Sequence, residues 1–237
     1  MESFFSSPEN IGKSDISIRG LEFHHLTKVM RKKTGDEILV VNGLGTAYGC
    51  VINQISRDEA ICTIQEVYNR YNEPAMSVTL MLPVLKNHSR IEWIVEKGTE
   101  LGVTRFVPVH TERTIPHRVR YERLQKIAFA AMKQCRRSFL PGIEDGKNFE
   151  TLLRTADGVY DKIFMGHETA PRTASLKDTA GNISGQRVLL LAGPEGGFSE
   201  QEIKLCDESG GQIVTLGTRR YRAETAALLM AAYVIHD

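Results

Sequence analysis

The sequence predicts an α/β domain built on a mostly parallel sheet, preceded by a smaller domain of short β-strands. Over residues 73–237, short apolar runs alternate with helix-like segments, which is typical of a parallel sheet with helices on its faces. Over residues 1–72, strand-like runs are separated by tight turns, which is typical of a small barrel or sandwich. The 237 residues, of which 41% are hydrophobic, are enough for two such cores.

The N-terminal region holds one short helical pattern, EFHHLTKVMRK, and three strand-like runs, DEILVV, TAYGCVINQI and EAICTIQEV. Between the first two runs, Asn42–Thr46 reads NGLGT, in which Asn-Gly and a second glycine supply the positive-φ positions of a hairpin. The polar segment Asn69–Pro74 ends in a proline, so we place the domain boundary there.

The second region begins with the apolar run SVTLMLPVL. A helix follows whose predicted apolar face consists of Ile91, Ile94, Val95, Gly98 and Leu101. After RFVPV, a second helix is expected from about Tyr121 to Arg137, and further strand-like runs are DKIFMG, RVLLLA and QIVTLG. Because ligands of such sheets bind at the carboxyl ends of strands, the turns after these runs are candidate sites.

Composition argues against several classes of protein. No segment approaches the roughly 18 to 20 apolar residues of a membrane span, and the N-terminus lacks a signal-peptide core. The four cysteines are far apart and form no C-x-x-C pair, so neither a zinc site nor a disulfide framework is expected. We therefore expect a soluble cytoplasmic protein without a bound metal or a membrane partner.

Basic residues are concentrated in three segments, although the formal net charge is only +1. Residues 113–137 contain eight basic residues and one acid. The segments KVMRKK (Lys28–Lys33) and RRYR (Arg219–Arg222) are also positively charged. Like charges repel, so such clusters favour a polyanionic partner such as RNA. A solvated helix face remains the alternative for any one of them.

The stretch VLLLAGPEGGFSEQEI ends a predicted strand and begins a helix. Ser199 and Glu202 form an S-x-x-E capping box, which predicts a helix start at about Glu200. The loop Gly193–Phe198 matches neither of the familiar glycine-rich phosphate loops, and Glu195 within it disfavours phosphate. A bare main chain beside a carboxylate suits a flat, cationic or amino-bearing ligand. A tight turn that needs glycine only for its backbone is the alternative.

Two other strand ends, FMGHET and TLGTRRYRAETAALLMAAYVI, complete a recognisable pattern. GPEGGF-S-x-x-E followed by LG-x-R-x-x-R-x-E-T-A resembles the C-terminal signature of the RsmE-type 16S rRNA uridine-N3 methyltransferases, in the SPOUT superfamily. HHLTKVMRKKTGDEI and VNGLG resemble the family's PUA-like region, and EKGTELGV, ERT and KQCRR resemble its central motifs. Tyr221 departs from the family, in which an aliphatic residue often precedes the arginine, and we expect it to alter packing more than chemistry.

The resemblance implies a SPOUT-type α/β methyltransferase domain with a C-terminal deep trefoil knot, preceded by a small PUA-like β-barrel that binds RNA. It implies methylation, with S-adenosyl-L-methionine, of N3 of a uridine in 16S rRNA of the small ribosomal subunit, by a homodimer. The alternatives are a non-catalytic PUA-like RNA-binding protein with a vestigial cofactor site and another nucleotide-using α/β enzyme. The implied cofactor-binding residues are Gly166, His167, Glu168, Leu191, Gly193, Pro194, Glu195, Gly196, Gly197, Leu216, Gly217 and Arg222.

The chemistry of uracil suggests catalytic residues. N3 is a poor nucleophile until its proton leaves, and the charge then spreads onto two carbonyl oxygens that a fixed guanidinium would stabilise. Arg222 is the first candidate and Arg219 the second. Glu224 is a candidate to orient an arginine or receive the proton, although a carboxylate at a helix start can simply face the dipole. His167 is a weaker candidate base.

Phosphates of a folded RNA are expected to contact the basic segments. Such contacts position an RNA but do not specify its sequence. The expected RNA-binding residues are Lys28, Arg31, Lys32, Lys33, Arg113, Arg118, Arg120, Arg123, Arg136 and Arg137.

Overall fold

The computed structural model describes residues 3–115, 118–168, 170 and 174–236. The chain forms two compact units. The first comprises Met1–Glu73 with Met132–Leu140, and the second comprises Pro74–Ala131 with Pro141–Asp237. The first break therefore falls inside the polar segment that ends at Pro74.

The first unit is a five-stranded sheet. Its elements are β1 (Ser3–Phe5), β2 (Asp15–Arg19), α1 (Gly20–His24, continued by a π-helical turn, His25–Val29), β3 (Glu37–Val41), β4 (Thr46–Ile55) and β5 (Glu59–Asn69). The strand order is β1-β3-β4-β5-β2, with β1 parallel to β3 and the other pairs antiparallel. Within the described residues no ladder joins β1 to β2, but the Ser6 hydroxyl donates to the Ser17 carbonyl at 2.9 Å. The sheet therefore curls until its two edges meet.

The predicted hairpin between β3 and β4 is confirmed. Gly43 and Gly45 adopt φ values of 75° and 101°. The side-chain oxygen of Asn42 accepts hydrogen bonds from the amides of Leu44 and Thr46, at 2.8 and 3.1 Å. The asparagine thus closes the turn, and the glycines supply the backbone conformation that a residue with a β-carbon rarely adopts.

A buried ion pair ties Met132–Leu140 to the rest of the first unit. The side chains of Glu73 and Arg137 are only 6% and 3% exposed, and Arg137 Nη2 lies 2.6 Å from Glu73 Oε2. The other carboxylate oxygen accepts from the amides of Ser138 and Phe139, at 3.0 and 2.8 Å. Arg137 was expected to contact RNA; that expectation was wrong, because its charge is already neutralised out of reach of solvent.

The second unit contains the parallel sheet. Its elements are β6 (Ser77–Pro83), α2 (His88–Leu101), β7 (Arg105–His110), α3 (Tyr121–Gln134, of which the part after Ala131 belongs to the first unit), β8 (Gly142–Ile143), β9 (Lys147–Asn148), α4 (Phe149–Arg154), β10 (Lys162–Gly166), α5 (Leu176–Ala180), β11 (Arg187–Leu191), α6 (Glu200–Glu208), β12 (Gln212–Val214) and α7 (Ala223–Ile235). The strand order is β12-β10-β11-β6-β7-β8, with β9 also on β7, and every pair is parallel. The predicted alternation of strands and helices is confirmed.

Helix α2 packs through most of the apolar face that the sequence predicts, although Leu101 is only partly buried. On α2, Ile91, Ile94, Val95 and Gly98 are buried, and a β-carbon on Gly98 would lie 2.8 Å from the Phe106 ring. Glycine therefore lets α2 pack close to β7. The predicted end of α3 was three residues too late, because the chain turns toward the Glu73 carboxylate instead of continuing the helix.

The apolar closing helix α7 contacts α2, α5, β6 and β11. Its buried residues include Ala227, Met230, Ala231 and Val234. Among the described residues, no helix combines the length and the apolar character needed to cross a membrane.

Candidate active site

Three loops meet at one edge of the parallel sheet. Strands β12, β10 and β11 are neighbours and run in the same direction, so their carboxyl ends lie side by side. The loops that follow them surround a cavity of about 540 Å³. Such an edge is where α/β sheets bind ligands, and the volume is within the range of cofactor pockets.

The cavity brings together nearly all the residues that the family resemblance implied for the cofactor. Leu191 is the exception, because it is fully buried in β11, in register with Met165 on β10. The implied residues that line the cavity are Gly166, His167, Glu168, Gly193, Pro194, Glu195, Gly196, Gly197, Leu216, Gly217 and Arg222. Their role in binding stays a prediction.

Glycines leave the wall of this cavity as bare main chain. In the loop after β11, the Pro194 carbonyl accepts from the Gly197 amide at 2.9 Å, and Gly197 adopts a φ of 68°. Gly217 adopts a φ of 113° in the loop after β12. A β-carbon on either of these two glycines would point into open space. Both positions therefore keep backbone groups accessible to a flat ligand.

The capping box at the start of α6 is confirmed. Ser199 Oγ accepts from the Glu202 amide, and a Glu202 side-chain oxygen accepts from the Ser199 amide at 2.8 Å. The other oxygen of Glu202 accepts from the Glu112 amide at 2.9 Å. The neighbouring Arg113 donates to the Gly196 carbonyl at 3.0 Å and lines the cavity. Arg113, expected to contact RNA, thus supports the glycine loop.

The loop before α7 supplies three arginines to the cavity wall. Arg222 is the exposed N-cap residue of α7, where the positive end of the helix dipole also lies. The Tyr221 phenol hydrogen-bonds to Arg219 and raises the pKa of that guanidinium above its usual range. Arg220 Nε lies 3.3 Å from an oxygen of Glu168 and so joins the first and third loops. Tyr221 therefore contacts a candidate catalytic arginine.

Arg90 is a pocket residue that the sequence did not reveal. It lies in the first turn of α2 and lines the cavity, 3.6 Å from Glu195 and 3.6 Å from Glu224. The side chain of Glu224 is 11% exposed, so it is not a solvent-exposed carboxylate that merely faces the helix dipole. In the sequence, Arg90 is marked only by its place in the first turn of the helix that follows strand β6.

The remaining basic residues differ in whether they are ion-paired and in how exposed they are. Arg123 forms an ion pair with Glu92 at 3.3 Å. Lys133, in the same basic segment, is paired with Glu22. Lys32 is partly buried, and the exposed members of the expected RNA-binding set are Lys28, Arg31, Lys33, Arg113, Arg118, Arg120, Arg123 and Arg136. The stretch 113–137 is therefore less positive at its surface than its composition implies.

Three of the cysteines have thiols of low reactivity. Burial raises the pKa of the Cys50, Cys62 and Cys206 thiols to about 12. Because the thiolate is the reactive form, none of these three is prepared for nucleophilic attack at neutral pH.

An RNA methyltransferase is the class of protein that this fold and pocket define. The family described as RNA methyltransferase domain matches residues 72–235, and the family described as RNA methyltransferase PUA domain matches residues 18–65. The predicted order, an α/β RNA methyltransferase domain after a PUA-like β domain, is confirmed. The trefoil knot within it stays a prediction.

Relatives narrow the class to one family. Ribosomal RNA small subunit methyltransferase E of Bacillus subtilis (strain 168) is 32% identical over 222 residues, which cover 90% of this chain and 86% of the relative. The protein of the same name from Synechocystis sp. is 31% identical, over 96% of this chain and 75% of the relative. The chain belongs to the ribosomal RNA small subunit methyltransferase E family.

A solved structure supports the same family at the level of the fold. The crystal structure of a ribosomal RNA small subunit methyltransferase E from Neisseria gonorrhoeae, bound to S-adenosyl methionine, has a TM-score of 0.83 and 29% identity. It covers 98% of this chain and 95% of the other.

Proposed function

We propose that this protein uses S-adenosylmethionine to methylate N3 of a uridine in 16S rRNA of the small ribosomal subunit. The observation that carries the proposal is the meeting of three glycine-containing strand-end loops with an arginine cluster around one cavity. Membership of the family supports an rRNA substrate. The choice of N3 follows the family resemblance in the C-terminal motifs.

The residues present fit this cofactor. Main chain without side chains at Gly197 and Gly217 gives a flat adenine backbone amides and carbonyls to contact. Glu195 at the rim suits the positive charge of an amino or sulfonium group. The cofactor, when bound, supplies an electrophilic methyl group on a sulfonium sulfur.

The chain's own residues have to align the uracil and favour its anion. In-line transfer depends mainly on placing the acceptor atom, so the enzyme's first contribution is orientation. Arg222, at the positive end of α7, would stabilise charge on a uracil oxygen, and Arg219 would be the second donor. Glu224 is the carboxylate that lies nearest the start of this helix.

RNA capture would use exposed cations in both units. Arg118, Arg120 and Arg123 in the second unit, and Lys28, Arg31 and Arg136 in the first, are exposed and suit phosphate contacts. The uridine has to leave its stack to reach a cavity in the protein, as in other enzymes that act on a base.

Gly196→Val tests the placement of the cofactor. A β-carbon at this position would lie 3.0 Å from the Arg113 β-carbon, so the branched side chain pushes the loop away from Arg113. We expect the variant to lose binding of S-adenosylhomocysteine in calorimetry while thermal unfolding shows that it remains folded. A folded variant with normal affinity would move the cofactor away from this loop.

Calorimetry also separates the proposed function from other enzyme classes. The wild-type protein should bind S-adenosylhomocysteine with micromolar affinity and should bind neither ATP nor NAD. Failure to bind the first would favour a non-catalytic RNA-binding protein, whereas binding of ATP or NAD would favour a different nucleotide-using enzyme.

We further propose a homodimer, as the family resemblance implies. Light scattering at micromolar protein concentration should give about twice the chain mass of 26.5 kDa. An active protein that scatters as a monomer would contradict this proposal.

A further inference from the structure

Arg90 lies between two carboxylates from different segments of the pocket wall. Its Nη1 is 3.6 Å from Oε1 of Glu195, in the loop after β11, and its Nε is 3.6 Å from Oε1 of Glu224, in α7. Both separations are longer than hydrogen bonds, so these pairs act through charge. One guanidinium therefore links the glycine loop to the start of the closing helix.

Glu224 is the partner that depends more on this charge. Its side chain is 11% exposed, whereas that of Glu195 is 47% exposed. Among the described residues, Glu224 Oε2 is buried without a hydrogen-bond partner. A buried carboxylate is costly unless a positive charge compensates it. Arg90 provides that compensation, and its removal would displace the first turn of α7.

The geometry points to Arg90 as a positioning residue for methyl transfer. Glu224 is two residues after Arg222, the N-cap residue of α7, so the arginine that holds Glu224 also fixes the position of Arg222 at the start of the helix. Arg90 acts through Glu224 and Glu195 and does not need to touch the base or a phosphate. This inference rests on the proposed function and deepens it, by naming what aligns the candidate catalytic arginine.

Arg90→Met and Arg90→Lys provide the test, with labelled S-adenosylmethionine and small ribosomal subunits as substrates. Arg90→Met should lower kcat about tenfold to a hundredfold, since a 1 Å misplacement costs on the order of a hundredfold. The KM for RNA and the affinity for S-adenosylhomocysteine should change less than about threefold. Lysine keeps the charge but lacks the planar fork that spans two carboxylates, so Arg90→Lys should recover part of kcat.

A double-mutant cycle tests whether Arg90 acts through Glu224. In a Glu224→Gln background the carboxylate charge is already gone, so adding Arg90→Met should lower kcat by less than about twofold. Effects that multiply would show that the two residues act separately and would overturn the inference.

A phosphate contact by Arg90 would give a different result. Arg90→Met would then raise the KM for RNA, reduce the salt dependence of binding by about one unit of slope and leave kcat normal. That outcome, or wild-type kcat in Arg90→Met, would overturn the positioning role.

If Arg90→Met does not fold, the kcat of Arg90→Lys decides: a value below wild type at unchanged KM supports the role. A wild-type enzyme that transfers no methyl group to RNA would instead overturn the proposed function.

Discussion

Arg222→Ala should lower kcat for methyl transfer by roughly a hundredfold or more, as loss of one donor to a developing oxyanion typically does. Arg222 is exposed at the N-cap of α7 and lines the cavity, so its guanidinium is free to meet a uracil oxygen. The interaction is strongest once N3 has lost its proton, and binding of RNA should therefore fall far less than the rate. Single-turnover kinetics with saturating small subunits would measure this directly.

Arg136→Ala is the matched control for charge. Arg136 is exposed in the first unit, and its loss should weaken RNA capture and reduce the salt slope by about one, with near-normal turnover at saturation. An Arg222→Ala enzyme with a normal rate, or two variants with the same kinetic defect, would contradict the role assigned to Arg222.

Glu73→Ala should destabilise the first unit by about 3–5 kcal/mol, the usual result of removing one partner from a buried ion pair. The substitution leaves the Arg137 guanidinium buried without its carboxylate. It also removes the acceptor for the amides of Ser138 and Phe139, which the same side chain satisfies. Denaturant unfolding, followed by circular dichroism, would measure the loss.

Glu150→Ala is the control for this prediction. Glu150 forms an ion pair with Arg154 in which both side chains are more than half exposed, and such surface pairs contribute little. Its unfolding midpoint should stay near that of the wild type. If Glu73→Ala were equally harmless, the buried pair would not be what holds Met132–Leu140 to the first unit.

The sequence predicts the fold best where the pattern is local. The hairpin at Asn42–Thr46 and the capping box of Ser199 and Glu202 follow from residue types at fixed spacing, and the structure has both. The end of α3 and the fate of Arg137 depend on Glu73, which is 64 residues away along the chain. No local pattern carries information about such a partner.

In the candidate site, too, the sequence predicts the features that depend on local residues and misses those that depend on distant ones. Glycines at strand ends identify the three loops, because a glycine marks a backbone conformation required within its own loop. Arg90 was missed because a lone arginine in the first turn of a helix has no distinctive spacing. Its partners are Glu195, in the loop after β11, and Glu224, in α7. Both come more than 100 residues later in the chain, and they meet Arg90 only in the folded structure.

Nucleoside mass spectrometry of 16S rRNA tests the central claim most directly. Small ribosomal subunits from cells that lack the gene should be incubated with this protein and labelled S-adenosylmethionine, and the RNA then digested to nucleosides. We predict labelled N3-methyluridine in the reaction with the wild-type protein and none with Gly196→Val. Label in a different nucleoside, or no transfer by a protein that binds S-adenosylhomocysteine, would contradict the assignment.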